Sequence, residues 1–470
     1  MGRNPPDRTD SPPAVNRGTQ RISRRQFLRD LSISGTVLLL AACGGQQPAG
    51  SAEAPDASNG TSTDAATTAP NAVTGPTELK ILQWTNFVPA LDDYFIAKAE
   101  EWGTANNVAV TIERINSNDI DTRLAAAVQS QTGPDVFQHT FNWAWRFADQ
   151  LVDLSDLAKE LGDNLGGWHA GIETYALVEG VYLGVPLAFF PNAFVYRKSM
   201  WEAAGAGVPN TWDEFIAAGK MLKEAGTPIG QALAHSFGDP PSFWYPWMWA
   251  YGGKEVEEDG TTIVINSPET ISAVEASIDL FDNVLAAGAL SWDDTSNNRA
   301  FLANQISCTL NGNSIYFVAR DRFPEIFEDI GTFNIPEGPA GRFGLQNTQT
   351  HGVMKYSQNP NAAKEFLLWF MQPEQYNPYL EAGGGYYVGP LQAYDDNPVW
   401  STDERIVVYR DAATSGFSKW PGWPGPPSRA SSQALSQYII VDLFAKAASR
   451  EFSPQEAVDW AAEKLTGIYG

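Results

Sequence analysis

Sixteen tryptophans stand in this chain of 470 residues. Three stretches crowd them: Asn142-Trp143-Ala144-Trp145, Phe243-Trp244-Tyr245-Pro246-Trp247-Met248-Trp249 and Trp420-Pro421-Gly422-Trp423. Tryptophan and tyrosine planes stack on flat apolar faces, while amides, carboxylates and imidazoles hydrogen-bond hydroxyls at a rim. That is equipment for holding a sugar, whose ring has a CH face and a hydroxyl edge. Each ring also has a duller reading, because a tryptophan is more often core than platform. Trp369 and Trp460, on helical stretches, are assigned to the core on that ground. The segment Trp420 to Pro427 is too rich in Pro and Gly for regular structure and reads as a rigid loop, either a cleft wall or a contact surface.

Covalent chemistry finds little support. Carboxylate pairs such as Asp293 with Asp294 and Asp395 with Asp396 are adjacent in sequence. Adjacent side chains usually point apart, whereas the acid and nucleophile of a glycosidase face each other across a bond. After the first 43 residues there is no Gly-x-Ser-x-Gly elbow, phosphate loop or dinucleotide fingerprint. His139, His169, His235 and His351 are dispersed without metal-ligand spacing, so no metal and no cofactor is expected. Cys308, inside Ile306-Ser307-Cys308-Thr309-Leu310, reads as a small buried apolar residue rather than a nucleophile. An exported polysaccharide-degrading enzyme is the less favoured alternative.

The elements that would position these rings alternate. Leu79-Lys80-Ile81-Leu82-Gln83-Trp84 predicts a strand, and Pro89 opens a helix with Leu91, Phe95, Ala99 and Trp102 on one face. Val108 to Glu113 alternates as a second strand, Ile120, Leu124 and Val128 mark a helix, and Asp135-Val136-Phe137 a third strand. Strands separated by helices imply crossovers and a largely parallel sheet, with ligands beyond the strand ends at Trp84 to Asn86 and Gln138 to Trp143. Thr211-Trp212-Asp213-Glu214 and Ser453-Pro454-Gln455-Glu456 are capping boxes that start helices, the second running to about Leu465. Residues 77 to 470 exceed what one core usually serves, which predicts two lobes.

The formal net charge is −24, and the first 43 residues, with seven Arg and three Asp, make the remainder more negative still. That balance argues against nucleic acid and anionic membrane surfaces as partners. Ser23-Arg24-Arg25-Gln26-Phe27-Leu28 resembles a twin-arginine export signal, and Leu40-Ala41-Ala42-Cys43 resembles the bacterial lipoprotein box, in which Cys43 carries the lipid. The apolar run between them, residues 31 to 42, is too short for a spanning helix and suits a signal core. Residues 1–43 are therefore expected to be a twin-arginine lipoprotein signal peptide. Residues 44–76, poor in large apolar side chains, are expected to be a disordered tether.

Longer signatures give a family resemblance. Gly180-Val181-Tyr182-Leu183-Gly184-Val185-Pro186, Phe194-Val195-Tyr196-Arg197-Lys198 and Pro209 to Phe215 resemble the signature stretch of bacterial extracellular solute-binding proteins of the maltose-binding type. Thr132-Gly133-Pro134-Asp135-Val136, Leu151-Val152-Asp153-Leu154, Phe301 to Gln305 leading to Asn311-Gly312, Asn359 to Phe366 and the Ser453 helix follow in that family's order. The resemblance covers residues 77 to 470. It implies a two-lobe α/β periplasmic-binding-protein fold of type II, each lobe a mostly parallel sheet flanked by helices. Lobe 1 would be 77–188 plus 345–389 and lobe 2 189–344 plus 390–470, with crossings near Leu187 to Pro191, Phe343 to Gln346 and Val388 to Pro390.

The resemblance further implies a non-enzymatic, monomeric binding protein, lipid-anchored outside the cytoplasm in the periplasm or at the cell surface. It would close on a small solute and hand it to an ABC transporter permease. Mapped onto the family, the first lobe offers Trp84, Asn86, His139, Asn142 and Trp143. The second offers Phe243, Trp244, Asn311, Asn313 and Tyr316, with Tyr386 near the hinge. Ser314 stands where the family often has an aromatic, so Tyr316 or Trp423 is expected to supply that plane. A mono- or oligosaccharide is the leading ligand, and a polyamine, peptide or other small solute remains open.

Overall fold

The alternation at Leu79 to Trp84 gives the first strand, β1 (Thr77–Trp84), and seven further principal strands follow. They are β2 (Val108–Ile115), β3 (Val136–Thr140), β4 (Val185–Phe189), β5 (Ala193–Arg197), β6 (Cys308–Asn311), β7 (Ile330–Phe333) and β8 (Thr348–Val353). The computed structural model describes residues 77–141 and 143–470. The expected export signal with Cys43, the expected tether and Asn142 lie outside the described residues.

Five strands form one sheet in the order β2-β1-β3-β8-β4, and three form another in the order β6-β5-β7. β1 runs parallel to β2 and β3, as the helices between them allow. β8 runs antiparallel to β3 and β4, pairing Thr350 with His139 on one side and Pro186 on the other. β5 is antiparallel to both its neighbours, pairing Phe194 with Leu310 and Phe333. Among the named strands, parallel pairing is found at β2-β1-β3. A strand arriving straight from the other sheet has no crossover helix to bring it round in the parallel sense. Isolated parallel bridges join Ile229 to Cys308 and to Leu285. With them the second sheet repeats the first: two parallel pairings, then two antiparallel ones.

Each sheet carries its own core. Leu79, Ile81, Phe95, Phe137, Val353 and Phe366 belong to the first, and Phe194, Phe215, Trp244, Trp247, Leu280 and Phe444 to the second. The chain passes from β4 to β5 through Phe190 to Asn192. Beside the return passage Gly344–Leu345 pairs with Ser418–Lys419, and Val388 bridges to Phe189. Leu391, Tyr394, Val399 and Trp400, expected from sequence in the second lobe, pack in the first core.

The helices used below are α1 (Pro89–Asn106), α2 (Ser117–Ser130), α3 (Trp143–Arg146), α4 (Trp212–Glu224), α5 (Asp239–Ala250), α6 (Arg429–Ser436), α7 (Ile439–Ala448) and α8 (Pro454–Tyr469). α1 buries Leu91, Phe95, Ala99 and Trp102 as its spacing predicts. α4 and α8 open on the expected capping boxes, Thr211 with Glu214 and Ser453 with Glu456. α5 has no polar face, because every one of its residues is buried. Trp369 and Trp460 are half-buried against the first and second cores. Cys308 is fully buried, and burial pushes its thiol pKa up. Among the described residues no helix is long and apolar enough to cross a membrane.

Candidate functional site

Segments far apart in sequence meet between the two cores. Ser117, Asn118, Asp121 and Thr122 come from the first turns of α2, and Phe141 and Trp143 from the passage between β3 and α3. Phe237 and Pro241 come from the entry to α5, and Leu435, Ser436 and Tyr438 from the junction of α6 and α7. They line a cavity of about 160 Å³, close to the ~150 Å³ known to hold one six-membered ring.

Phe237 reaches from the second lobe into the aromatic wall of the first. Its ring lies 5.9 Å from Trp84, 5.3 Å from Phe141 and 5.6 Å from Trp143. Its backbone N–H donates to Asn118 Oδ1 at 2.9 Å. Asn118 sits in the first turn of α2, where its own N–H is held by the capping residue Asn116 at 2.9 Å. Tyr438 has φ +58, a left-handed backbone that bulky side chains rarely adopt and that tends to persist at functional positions. Burial pushes its phenol up to about 12, so it presents a neutral hydroxyl. Asp121 is the one lining carboxylate among the described residues, and Arg146 pairs with it at 2.5 Å. Among the described residues no cluster of His, Cys, Asp and Glu is placed to hold a metal.

Trp84 stands behind this wall at 2 % exposure, edge-on to Phe190 at 5.5 Å. A polar chain fixes it. Trp84 Nε1 donates to Tyr387 Oη at 3.1 Å, and the Tyr387 hydroxyl donates to Asn86 Oδ1. Asn86 donates to Asp92 from its amide at 2.5 Å and its backbone at 3.1 Å, and Arg114 reaches the same carboxylate at 3.3 Å. Burial raises the Asp92 pKa against these partners. Asn86 is thereby spent on orienting Trp84.

Further along the interface Phe190 meets Tyr386 at 5.1 Å. The Tyr386 hydroxyl is buried with no protein partner, as is Asn313 Oδ1, whose amide donates to Gly385 O at 2.8 Å. Gly384, at φ +60, lets this backbone approach Phe317: a Cβ there would come within 2.5 Å of the ring. Asn311 donates to Asn298 Oδ1, and Asn298 donates to Ser314 Oγ at 3.2 Å, so Ser314 is a buried polar contact.

Of the residues expected from sequence, Trp143 lines the cavity, Trp84 and Asn86 back it, and Asn313 and Tyr386 lie on the same interface. Phe243 and Trp244 do not reach it. Phe243 packs on Phe194 and Trp212, and Trp244 stacks on Phe444 at 5.0 Å with its indole donating to Ala232 O at 3.0 Å. Both belong to the second core because α5 is enclosed on all sides. His139 is fully buried beside Phe137, and burial lowers its pKa to about 3, so it is a neutral core group outside the cavity lining. Tyr316 lines a different groove with Phe327 and Arg405, its hydroxyl donating to Asp403 at 2.8 Å. Trp423 packs on Phe343 at 5.2 Å and Trp249 at 6.1 Å, and Trp420 donates to Gly425 O at 2.8 Å. The loop from Trp420 to Pro427 is irregular, as expected. Phe237, Asn118 and Tyr438 escaped the sequence reading, and Phe141 fell within the strand-end stretch Gln138 to Trp143 without being singled out. For Phe237 a signal existed, since Phe-Gly-Asp-Pro-Pro marks a helix entry that places the preceding side chain at an element end.

Residues 96–407 match the family model described as bacterial extracellular solute-binding protein. The diacetylchitobiose binding protein DasA of Streptomyces coelicolor is 25% identical over 359 residues, covering 73% of this chain and 77% of that protein. The maltotriose-binding protein of Pyrococcus abyssi is 23% identical over 347 residues, 72% of each. Among solved structures, maltose-bound MalE3 of T. maritima superposes with a TM-score of 0.71 at 20% identity, covering 83% of this chain and 100% of that one. A sugar transporter protein of Arthrobacter chlorophenolicus with bound laminaribiose gives 0.74 at 19% identity, covering 83% and 99%.

Proposed function

Because the chain belongs to the bacterial extracellular solute-binding proteins, we propose that it captures a carbohydrate between its two lobes and delivers it to an ABC-type permease. The observation that carries this reading is the 160 Å³ cavity between the lobes, walled by Phe141, Trp143, Phe237 and Tyr438 and rimmed by Ser117, Asn118, Thr122 and Ser436. Ring planes for a CH face and hydroxyls and an amide for an edge are what a pyranose asks of a site. Tyr438 takes the role of second-lobe platform that the sequence reading gave to Tyr316 or Trp423. Trp84, Asn86, Asn313 and Tyr386 support and extend the wall. Relatives named for diacetylchitobiose and maltotriose favour the same ligand class.

The work is extracytoplasmic. Cys43 anchors the chain to the outer face of the cell membrane after twin-arginine export, and several acyl chains hold it where one would bind only marginally. Anchoring raises the effective concentration at the permease. We place lobe 1 at 77–188 plus 345 to about Ser401 and lobe 2 at 189–344 plus the remainder, the last passage following the packing of Trp400 in the first core. Cys43→Ser is expected to move the protein from membrane to soluble fractions.

A thermal-shift screen of the full chain tests the ligand. The panel is diacetylchitobiose, maltotriose, laminaribiose, monosaccharides, polyols, polyamines and amino acids. A ligand at a hundred times its Kd adds about 2.7 kcal/mol to the folded state. A rise confined to saccharides supports the proposal. A rise with polyamines alone overturns the carbohydrate reading, and turnover of an oligosaccharide in the same wells overturns the binding-protein reading.

A further inference from the structure

Beside Tyr438 sits a side-chain pair, His235 with Asp442, that is not part of the cavity lining. The His235 ring lies 4.5 Å from the Tyr438 ring with their planes 10° apart, a face-to-face stack. His235 Nε2 is 2.6 Å from Asp442 Oδ1. Asp442 stands in the first turn of α7, where its backbone N–H donates to Tyr438 O at 2.8 Å. The three residues form a closed bracket: Tyr438 stands at the N-cap of α7, Asp442 in its first turn, and His235 spans from the segment just before α5 to touch both. His235 is not a lining residue, and its side chain is 57 % exposed, so it fills no core.

We infer that His235, held by Asp442, is a positioning residue that fixes the plane of Tyr438 as the second-lobe platform; this rests on the carbohydrate reading above. Tyr438 stands at the start of a helix on a left-handed backbone, half-buried against the second core and lining the cavity. The imidazole stacked on its ring adds a constraint on the ring angle, and the carboxylate keeps the imidazole from swinging into solvent. Freezing the ring before ligand arrives removes an ordering cost from binding, which is how a group that never touches ligand changes affinity. The bracket also ties two segments of the cavity wall, the Phe237 entry and the α6–α7 junction, so that the platform and the wedge keep their spacing.

The test is a double-mutant cycle on the full chain, with diacetylchitobiose and maltotriose as probes in titration calorimetry. His235→Ala is expected to weaken binding by about three- to tenfold, the range of a lost aromatic pair, while leaving the ligand-free protein folded. His235→Phe, which keeps the plate and loses the tether, recovers part of that loss, and Asp442→Asn gives an intermediate one. Added to Tyr438→Ala, His235→Ala is expected to cost nothing more, because it acts through that ring. An equal loss in both backgrounds, or no loss at all in the wild-type background, overturns the inference. A second measurement needs no ligand: the flip rate of the Tyr438 ring, whose resonances are assigned by their absence in Tyr438→Phe, should rise on His235→Ala, and an unchanged rate overturns the inference too. Failure of wild-type protein to bind any saccharide of the thermal-shift panel overturns the carbohydrate reading instead, while the flip rate still decides whether His235 positions Tyr438.

Discussion

Replacing Phe237 by Ala removes the contact that most directly joins the lobes at the cavity. Its ring meets Trp84, Phe141 and Trp143 at 5.9, 5.3 and 5.6 Å. Taken at about 0.5 to 1 kcal/mol each, these pairs hold the closed arrangement by about 1.5 to 3 kcal/mol. The N–H donated to Asn118 survives the substitution, so the change isolates the ring. Losing that energy shifts the ratio of open to closed molecules by roughly tenfold to a hundredfold, and affinity falls with the closed fraction. Spin labels on Asp163→Cys and Glu451→Cys, exposed positions in the two lobes, report the separation by pulsed electron resonance in a Cys43→Ser background. Cys308 is fully buried and does not compete for label. Phe237→Ala should broaden and lengthen the distance distribution without ligand. An unchanged distribution with unchanged saccharide affinity would refute the claim that this ring closes the cleft.

Three further outcomes are expected. Glu255 is fully buried, accepts Gly422 N–H at 2.5 Å and the Tyr245 hydroxyl at 3.3 Å, and is lifted by burial from 4.5 to about 7. The native state therefore holds this proton more tightly than the unfolded chain, and stability falls as pH rises from about 4.5 to 7, by at most about 3 kcal/mol; melting curves of Glu255→Gln across that window should lose this slope. Burial, with the charge of Asp294, pushes the Asp239 pKa well above the carboxylate range while Asn297 donates to it at 2.6 Å, so Asp239→Asn should stabilise more at pH 8 than at pH 5 in the same assay. Arg429 pairs with Asp149 across the lobes at 3.1 Å, with side chains 60 % and 82 % exposed, and Arg429→Ala should change chemical-denaturation stability by less than about 0.5 kcal/mol.

What could be read in advance divides along the range of the interactions. Strands and helices show in local spacing, and the Thr211 and Ser453 caps, being contained within four residues, formed as written. Trp143, chosen because it lies just past a strand end, is the one sequence candidate among the described residues that lines the cavity. Phe243 and Trp244 misled because α5 is buried all round, and an aromatic-rich stretch without a polar face gives no sign of which ring, if any, looks into a cleft. His139 misled for a related reason. All five residues of β3 are buried, so alternation there does not separate cleft from core. Tyr438 was invisible since its importance comes from meeting Phe237 and Trp143 across some 200 to 300 residues of chain, a proximity that only the tertiary fold creates.

The sheet order has a consequence for how the molecule comes into being. β8 inserts between β3 and β4, yet it is made after the whole of the second sheet, β5 to β7. The first sheet must wait, with an exposed edge on β3, until residues 348–353 leave the ribosome, and the second core waits longer still for α7 and α8. Such distant pairings make folding slow and late, a property of the finished chain rather than of its leading end. An export route that carries proteins already folded suits that schedule. A chain threaded unfolded would have to find the same pairings on the far side with its unpaired edge open to aggregation. On the twin-arginine reading proposed above, the arginine pair near the start and a strand near residue 350 answer the same problem, one by choice of route and the other by creating the need for it.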